Sequence, residues 1–211
     1  MAPDLDGIAL TDRPLVVCDV DDVVLEFVTP FQTFLESRGH RLIPRSFRLH
    51  GNIVSAADDT VLENDVVTAL IEAFFADQEA WQTPFAEAVG ALGRISRQAD
   101  LVFLTAMPPK HAAARRRLLD RFDLRYPMIA ADEAKGPLVE RLHKRRTLPL
   151  AFIDDMVSNL HSVGEHVPEC LLVHLPPPVE IHKFAPAAGE HVRKARDWAE
   201  AGSLVAAHIA G

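Results

Sequence analysis

The chain has 211 residues, of which 48% are hydrophobic and 25% are charged, and its formal net charge is −8 at pH 7. This length fits one globular domain, or one domain with a modest insertion, and the negative charge argues against general binding to nucleic acid, which relies on basic surface. No apolar run approaches the ~20 residues that a membrane span needs. The first residues, Met1–Asp6, contain no basic region or apolar core of the kind found in signal peptides. The two cysteines, Cys18 and Cys170, lie in apolar runs, which suits a reducing compartment better than a disulfide framework. We therefore expect a soluble, cytoplasmic protein with no membrane or nucleic-acid polymer among its partners.

The first predicted strand ends in a group of acids. An apolar run from Pro14 to Cys18 is followed directly by Asp19, Asp21 and Asp22. An uninterrupted apolar run is typical of a central strand buried on both faces, and ligands of open α/β sheets bind beyond the carboxyl ends of such strands. Because clustered carboxylates repel one another and oxygen ligands suit Mg²⁺, the acids predict a Mg²⁺ site. An acidic turn or helix cap is the alternative, and we favour it for Asp22.

Residues 28–80 are predicted to form a small, mainly helical insertion after this strand. Thr29-Pro30 is typical of a helix start, and Thr60–Glu63 has the form of a capping box that begins a second helix. The irregular segment between them contains Arg45 and Arg48. These arginines either reach a substrate or belong to an exposed basic loop.

Strands alternate with helical segments in the rest of the chain. This alternation predicts an α/β fold, a doubly wound, Rossmann-like parallel sheet with the helical cap inserted after its first strand. The core would comprise residues 1–27 and 81–211. Its later strands are predicted at Leu101–Thr105, Met128–Ala130, Leu148–Ile153 and Cys170–His174, and a final helix at about Glu190–Ile209.

Further candidate residues follow the later strands. Thr105 ends one strand, Lys135 begins the helix after another, and Asp154-Asp155 ends a third. Two acidic strand ends can share one metal ion, while Lys135 and Thr105 can bind a phosphoryl group beside it. A carboxylate next to Mg²⁺ can attack phosphorus, and Asp21 can serve as the general acid and base.

At these positions the sequence resembles the haloacid dehalogenase-like (HAD) superfamily, from about Leu15 to Leu175. The resemblance implies that Asp19 is the nucleophile and Asp21 the general acid/base. It also implies that Thr105 and Lys135 bind phosphate, and that the Mg²⁺ ligands are Asp19, the backbone carbonyl of Asp21, and Asp154, with Asp155 in support. Residues 28–80 match the position of the superfamily's helical C1 cap. The four ordered motifs are Asp19-Val20-Asp21-Asp22-Val23, Leu104-Thr105, Lys135-Gly136 and Ile153-Asp154-Asp155.

The second acid of the first motif, Asp21, makes phosphatases a better match than dehalogenases, because dehalogenation leaves no alcohol to protonate. A narrower resemblance to 5′(3′)-deoxyribonucleotidases rests on the first motif followed by Phe27, the small cap, and the last motif. It implies that Phe27 lies against the substrate, and packing at the cap junction is the other interpretation of this residue. Asp22 stands where those enzymes commonly have glycine.

We therefore predict a Mg²⁺-dependent phosphohydrolase that removes phosphate from a small phosphorylated metabolite, such as a nucleotide, through an aspartyl-phosphate. One alternative is a receiver-like phospho-acceptor, although receivers carry the acceptor aspartate on a later strand and have no inserted cap. The other is a protein that keeps the fold and binds ligands without catalysis. Turnover of free phosphomonoesters would distinguish the enzyme from both alternatives.

Overall fold

The computed structural model describes residue 5, residues 7–144 and residues 146–211. The predicted core includes residues 1–4, 6 and 145, which lie outside the described residues. Within the described part, no helix is long and apolar enough to span a membrane. The strands are β1 (Leu15–Cys18), β2 (His40–Leu42), β3 (Ile53–Ser55), β4 (Asp100–Thr105), β5 (Met128–Ala130), β6 (Leu150–Asp154), β7 (Leu171–His174) and β8 (Arg193–Lys194). The α-helices are α1 (Val28–Glu36), α2 (Asn64–Ala76), α3 (Gln78–Trp81), α4 (Ala88–Ile95), α5 (Ala112–Arg121), α6 (Lys135–His143), α7 (Val157–His166) and α8 (Trp198–Ile209).

Six of the strands form one parallel sheet in the order β5-β4-β1-β6-β7-β8. From β1 the chain passes to β4 and β5 on one side, and then returns to β6, β7 and β8 on the other. The strand order therefore reverses next to β1, which is where doubly wound folds bind their ligands. The predicted α/β, Rossmann-like parallel sheet is confirmed.

β1 lies in the middle of the sheet, between β4 and β6, and its side chains are fully buried on both faces. Val16 and Cys18 pack in one apolar cluster with residues of α4, α5 and α8. Leu15 and Val17 pack in a second cluster with residues of α6 and α7. This alternation is the two-residue period of a strand, and it explains why the sequence reads as an uninterrupted apolar run.

Residues 28–80 contain α1, α2 and all but the last residue of α3, together with an antiparallel pair of strands, β2 and β3. The strand pair lies in the segment that the sequence left irregular. A third apolar cluster joins these elements through stacked and edge-on rings, among them Phe31, Phe34 and Phe74. The division of the chain into a cap and a core stays a prediction.

Two of the predicted helix starts were wrong within this insertion. α1 begins at Val28, before Thr29, and the carboxylate of Asp22 accepts hydrogen bonds from the backbone N–H groups of Phe27 and Val28. α2 begins at Asn64, because the carbonyl of Thr60 accepts a hydrogen bond from Ser55 N at 2.8 Å and extends the pairing of β3. Hydrogen bonds between residues five or six positions apart thus replaced the predicted caps.

The last helix is also shorter than predicted. It begins at Trp198, where the side chain of Asp197 accepts a hydrogen bond from Glu200 N, and Arg193–Lys194 instead forms the edge strand β8. The indole Nε1 of Trp198 donates to the carbonyl of Val23 at 3.0 Å. This bond ties α8 to the loop that follows β1.

Candidate active site

The site is built where β1 and β6 end side by side. Cys18 pairs with Ile153 in the sheet, so the next residue on each strand, Asp19 and Asp154, lies at the same edge. The ammonium group of Lys135 contacts Asp19 Oδ1 and lies 2.7 Å from Asp154 Oδ2. All three side chains are buried. The structure therefore brings together one residue from each of three separate motifs.

Gly136 allows Lys135 to reach this position. A Cβ atom at Gly136 would lie 2.2 Å from the carbonyl oxygen of Ser162 on α7, and Gly136 N donates to Ser162 Oγ at 3.2 Å. The start of α6 thus packs directly against α7, and any side chain in place of glycine would separate them. This close approach places Lys135 beside the ends of β1 and β6.

The carboxylates of Asp19, Asp154 and Asp155 form one cluster, with an oxygen of each within 4.8 Å of the others. Burial raises the pKa of Asp19 to about 7, with added repulsion from Asp154 and Asp21 and against the opposing effect of Lys135. Burial and the charges of Asp154 and Asp19 likewise raise the pKa of Asp155. Burial alone would lower the pKa of Lys135, but Asp154 and Asp19 outweigh it and raise that pKa. One ammonium group therefore faces three buried carboxylates.

Neighbouring groups orient the second acidic pair. Asp154 accepts hydrogen bonds from Met156 N at 2.7 Å and from Asn159 Nδ2 at 3.2 Å. The Oδ2 atom of Asp155 lies 3.5 Å from His182 Nε2, while His174 Nε2 contacts the backbone carbonyl of Asp155 at 2.9 Å. The cluster is thus supported from α7 and from the segment after β7.

Asp22 has the structural role that we favoured. Its backbone has φ +58°, a left-handed conformation that glycine adopts without strain and that Asp tolerates better than most residues. Its carboxylate accepts from Phe27 N at 2.8 Å and Val28 N at 3.1 Å. The turn conformation also accounts for glycine being common at this position in the enzymes that the motif resembles.

Asp21 is not part of the acidic cluster, and its carboxylate pairs with Arg115 on α5. Its two carboxylate oxygens accept from the guanidinium of Arg115 at 2.9 and 3.0 Å. Gln82 Nε2 donates to the same group at 2.9 Å, and the Thr105 hydroxyl donates at 3.3 Å. Thr105 in turn accepts from Met107 N at 3.1 Å. Phosphate binding by Thr105 and metal binding by the backbone carbonyl of Asp21 stay predictions.

A cavity of about 300 Å³ opens above these groups. Phe27 and Arg48 line it, whereas Arg45 is exposed and lies outside the lining. Phe27 also stacks on Phe31 and Phe75, so it both packs within the insertion and faces the cavity. The charged lining includes Asp19, Asp21, Lys135 and Asp155, and the apolar lining includes Phe27, Phe47, Phe75, Met107 and Ile181.

The sequence interpretation missed Arg115 and His182. Arg115 belongs to a run of three arginines to which the sequence interpretation gave no role in the site, although its spacing of three and four residues from Leu118 and Leu119 is that of a buried helix face. In the structure Arg115 contacts Asp21, whereas Arg117 pairs with Glu79 at the surface. His182 follows three prolines, and its sequence gives no local signal of a role.

No protein-family model and no curated protein sequence matches this chain, but many solved structures do. A haloacid dehalogenase-like family hydrolase from Xanthomonas campestris aligns with TM-score 0.59 and 16% identity over 94% of this chain and 96% of its own. A predicted phosphoglycolate phosphatase from Haemophilus somnus 129PT aligns with TM-score 0.58 and 14% identity over 93% and 99%. A HAD family hydrolase from Deinococcus radiodurans R1, with bound phosphate and sodium, aligns with TM-score 0.58 and 14% identity over 91% and 97%. The chain therefore has the haloacid dehalogenase-like fold.

Proposed function

We propose that this protein is a Mg²⁺-dependent phosphohydrolase that removes phosphate from a small phosphomonoester through a covalent intermediate on Asp19. The observation that carries the proposal is the contact of Lys135 with both Asp19 and Asp154 at the bottom of the cavity. This arrangement puts a nucleophilic carboxylate beside a group that neutralises phosphoryl charge. The fold supports the proposal, because the solved structures that share it include a hydrolase with bound phosphate and a predicted phosphatase.

The residues present fit a divalent cation. The oxygens of Asp19, Asp154 and Asp155 lie within 4.8 Å of one another, and burial together with mutual repulsion raises the pKa values of Asp19 and Asp155. Buried carboxylates that repel one another are stabilised by a cation, and oxygen ligands suit Mg²⁺. When bound, Mg²⁺ would supply charge neutralisation for the phosphoryl oxygens.

The chain's own residues would divide the chemistry between them. The carboxylate of Asp19 attacks phosphorus, and the bond from phosphorus to the leaving oxygen breaks as Asp21 supplies a proton to that oxygen. Asp21 then removes a proton from water, which attacks phosphorus and breaks the bond to Asp19. Throughout, Lys135 neutralises negative charge, and the Thr105 hydroxyl binds the phosphoryl group once it no longer donates to Asp21.

The cavity supports a small substrate with an apolar or aromatic part. The rings of Phe27, Phe47 and Phe75 line it, together with the cationic side chain of Arg48. A volume of about 300 Å³ is at the lower end of small-molecule sites. A nucleotide remains one of the candidates, with Phe27 against the base. Arg45, which is exposed and outside the lining, is the weaker candidate for contact with substrate.

We also propose a cytoplasmic location, with a small phosphorylated metabolite as the partner. Cys18 and Cys170 are both buried and free. Burial raises the pKa of each thiol, which keeps both in the unreactive protonated form. Two unpaired cysteines are typical of a reducing compartment.

Phosphate release from a broad panel of phosphomonoesters, including deoxynucleotides, tests the proposal. Release is measured with Mg²⁺ and with EDTA, for the native protein and for Asp19→Asn. We expect release that requires Mg²⁺ and that is lost in the variant. Absence of release across the panel, from folded protein that still binds Mg²⁺, would refute the phosphatase proposal in favour of a phospho-acceptor or a non-catalytic protein.

A further inference from the structure

Arg115 is a fully buried arginine in the middle of α5. Removing a guanidinium group from water is costly unless every donor is paired, and such pairs often contribute less to stability than apolar packing of the same volume. A buried arginine therefore calls for a specific partner. Its partners here are Asp21 and two buried glutamines, Gln78 and Gln82.

The contact with Asp21 is bidentate. Arg115 Nη1 donates to Oδ2 at 3.0 Å, and Nη2 donates to Oδ1 at 2.9 Å. This paired geometry fixes both the position and the plane of a carboxylate. Gln82 donates a further hydrogen bond to Oδ1, and the Thr105 hydroxyl donates to Oδ2. Each oxygen of Asp21 therefore accepts from two donors.

The guanidinium is itself held from the opposite side. Its Nε donates to Gln78 Oε1, and its Nη2 donates to Gln82 Oε1 at 3.1 Å. The side chain of Gln78 is fixed in turn by a hydrogen bond to the carbonyl of Phe75 at 2.6 Å, and that of Gln82 by one to the carbonyl of Glu26 at 2.9 Å. The network thus locks one orientation of Arg115.

The network ends at the cavity. The side chain of Arg115 has no exposed surface, whereas that of Asp21 is 19% exposed and lines the cavity beside Asp19. An ion pair that only filled the core would be enclosed at both ends. Here the buried residue, Arg115, fixes the orientation of Asp21, the residue that lines the cavity.

We propose that Arg115 is the positioning residue for Asp21. It holds the carboxylate so that Oδ2, once the Thr105 hydroxyl no longer donates to it, exchanges protons with the leaving oxygen and with water. The proposal rests on the proposed phosphohydrolase function. Arg115 touches no substrate and acts only through Asp21. Its loss should therefore affect the chemical step more than substrate binding, and only while Asp21 is present.

The test measures kcat and KM with para-nitrophenyl phosphate and Mg²⁺ for Arg115→Met, Arg115→Lys and the control Arg117→Met. Arg117 lies on the same helix, but its side chain is 62% exposed and pairs with Glu79. General acid and base catalysis contributes about 10²–10⁴-fold to a rate, so we expect Arg115→Met to lower kcat by at least ~30-fold, with KM changed by less than about threefold. Arg115→Lys retains the charge without the bidentate geometry and should lose at least ~10-fold. The control should match the native protein.

The same substitutions are then made in the Asp21→Asn background, where Arg115→Met should lower kcat by no more than about twofold. If Arg115 affected the rate by a route other than Asp21, Arg115→Met would give the same fold-loss in both backgrounds, because effects are additive for sites that act independently. That result, or a kcat within about fivefold of native for folded Arg115→Lys, would overturn the proposal. If Arg115→Met alone does not fold, the proposal is tested with Arg115→Lys and with the double variant Asp21→Asn/Arg115→Met. The double variant is expected to fold because it leaves no unpaired charge from the buried pair.

Failure of this proposal is distinguishable from failure of the proposed function. If the native protein is active and Asp19→Asn is not, an unchanged Arg115→Lys variant refutes the positioning role alone. If the native protein releases no phosphate, or Asp19→Asn retains full activity, the phosphohydrolase mechanism is refuted and the positioning role falls with it.

Discussion

Replacement of Gly136 by alanine should reduce both stability and activity. A Cβ atom there would lie 2.2 Å from the Ser162 carbonyl oxygen and 2.6 Å from Ser162 Oγ and His166 Nδ1. The nearest of these atoms belongs to the backbone of α7, so rotation of a side chain cannot relieve the contact. To restore even 3.0 Å, the start of α6 must move by about 0.8 Å relative to α7.

The size of both effects follows from this displacement. Overpacking of this kind costs about 1–3 kcal/mol, which corresponds to a melting temperature lower by roughly 2–12 °C for a chain of this length. Lys135 is the neighbour of Gly136 and moves with it, away from Asp19 and Asp154. A misplacement of about 1 Å at a catalytic group can cost ~10²-fold in rate, so kcat should fall by a factor of that order.

Thermal unfolding followed by circular dichroism measures the first effect, and Mg²⁺-dependent phosphate release measures the second. Gly202→Ala in α8 is the matched control, because a Cβ atom there meets nothing within 4 Å. That substitution should stabilise the protein by about 0.5–1 kcal/mol, as expected for alanine in place of glycine in a helix. If Gly136→Ala instead behaved like Gly202→Ala in both assays, the close packing of α6 on α7 would not be what positions Lys135.

Three further predictions concern the acidic residues. The pKa of Asp19 is raised to about 7 in the folded protein from its ordinary value of 3.8, so between these values the folded state binds a proton that the unfolded chain releases. The free energy of unfolding of metal-free protein should therefore fall as pH rises from about 4 to about 7. Urea titrations across this range measure how the free energy of unfolding depends on pH, and Asp19→Asn should reduce this dependence. A free energy of unfolding that does not change with pH would contradict the prediction. Mg²⁺ at a hundredfold excess over its Kd should raise the free energy of unfolding by about 2.7 kcal/mol at pH 7.5, and EDTA should reverse the gain; no shift in thermal unfolding on adding Mg²⁺ would contradict a cation site. Asp22→Ala should cost about 0.5–2 kcal/mol through the lost cap on α1, and Asp22→Gly should cost less because its φ of +58° suits glycine; equal costs in denaturant titrations would refute the role of this turn.

Much of the sheet could be predicted because its buried strands consist mainly of apolar residues. β1 lies between two neighbours and is covered on both faces, so all of its residues are apolar and the acids that follow it stand out. β5 has the predicted bounds for the same kind of reason, since clear breaks flank its apolar pattern. Strands β2 and β8 were missed because each has only two or three residues, most of them basic and not buried, and β3, which pairs with β2, was missed with it.

The parts of the site that escaped prediction depend on contacts between distant segments. Asp19 and Lys135 could be found because they occupy positions in sequence motifs. The orientation of the Asp21 side chain depends instead on Arg115, 94 residues further along the chain. The glutamines that fix Arg115 lie on and next to α3, whose own sequence is unremarkable for such a role. Local pattern predicts which residues end a strand, and tertiary packing decides what each side chain faces.

The central claim is that phosphate passes through a covalent bond to Asp19. The most direct measurement is reduction of the protein with borohydride during turnover of para-nitrophenyl phosphate with Mg²⁺, followed by peptide mass analysis. Borohydride converts an aspartyl phosphate to homoserine, so we expect homoserine at position 19 and unmodified aspartate at positions 21, 154 and 155. Protein that releases phosphate under these conditions with Asp19 unmodified, or with the modification at another aspartate, would contradict the mechanism.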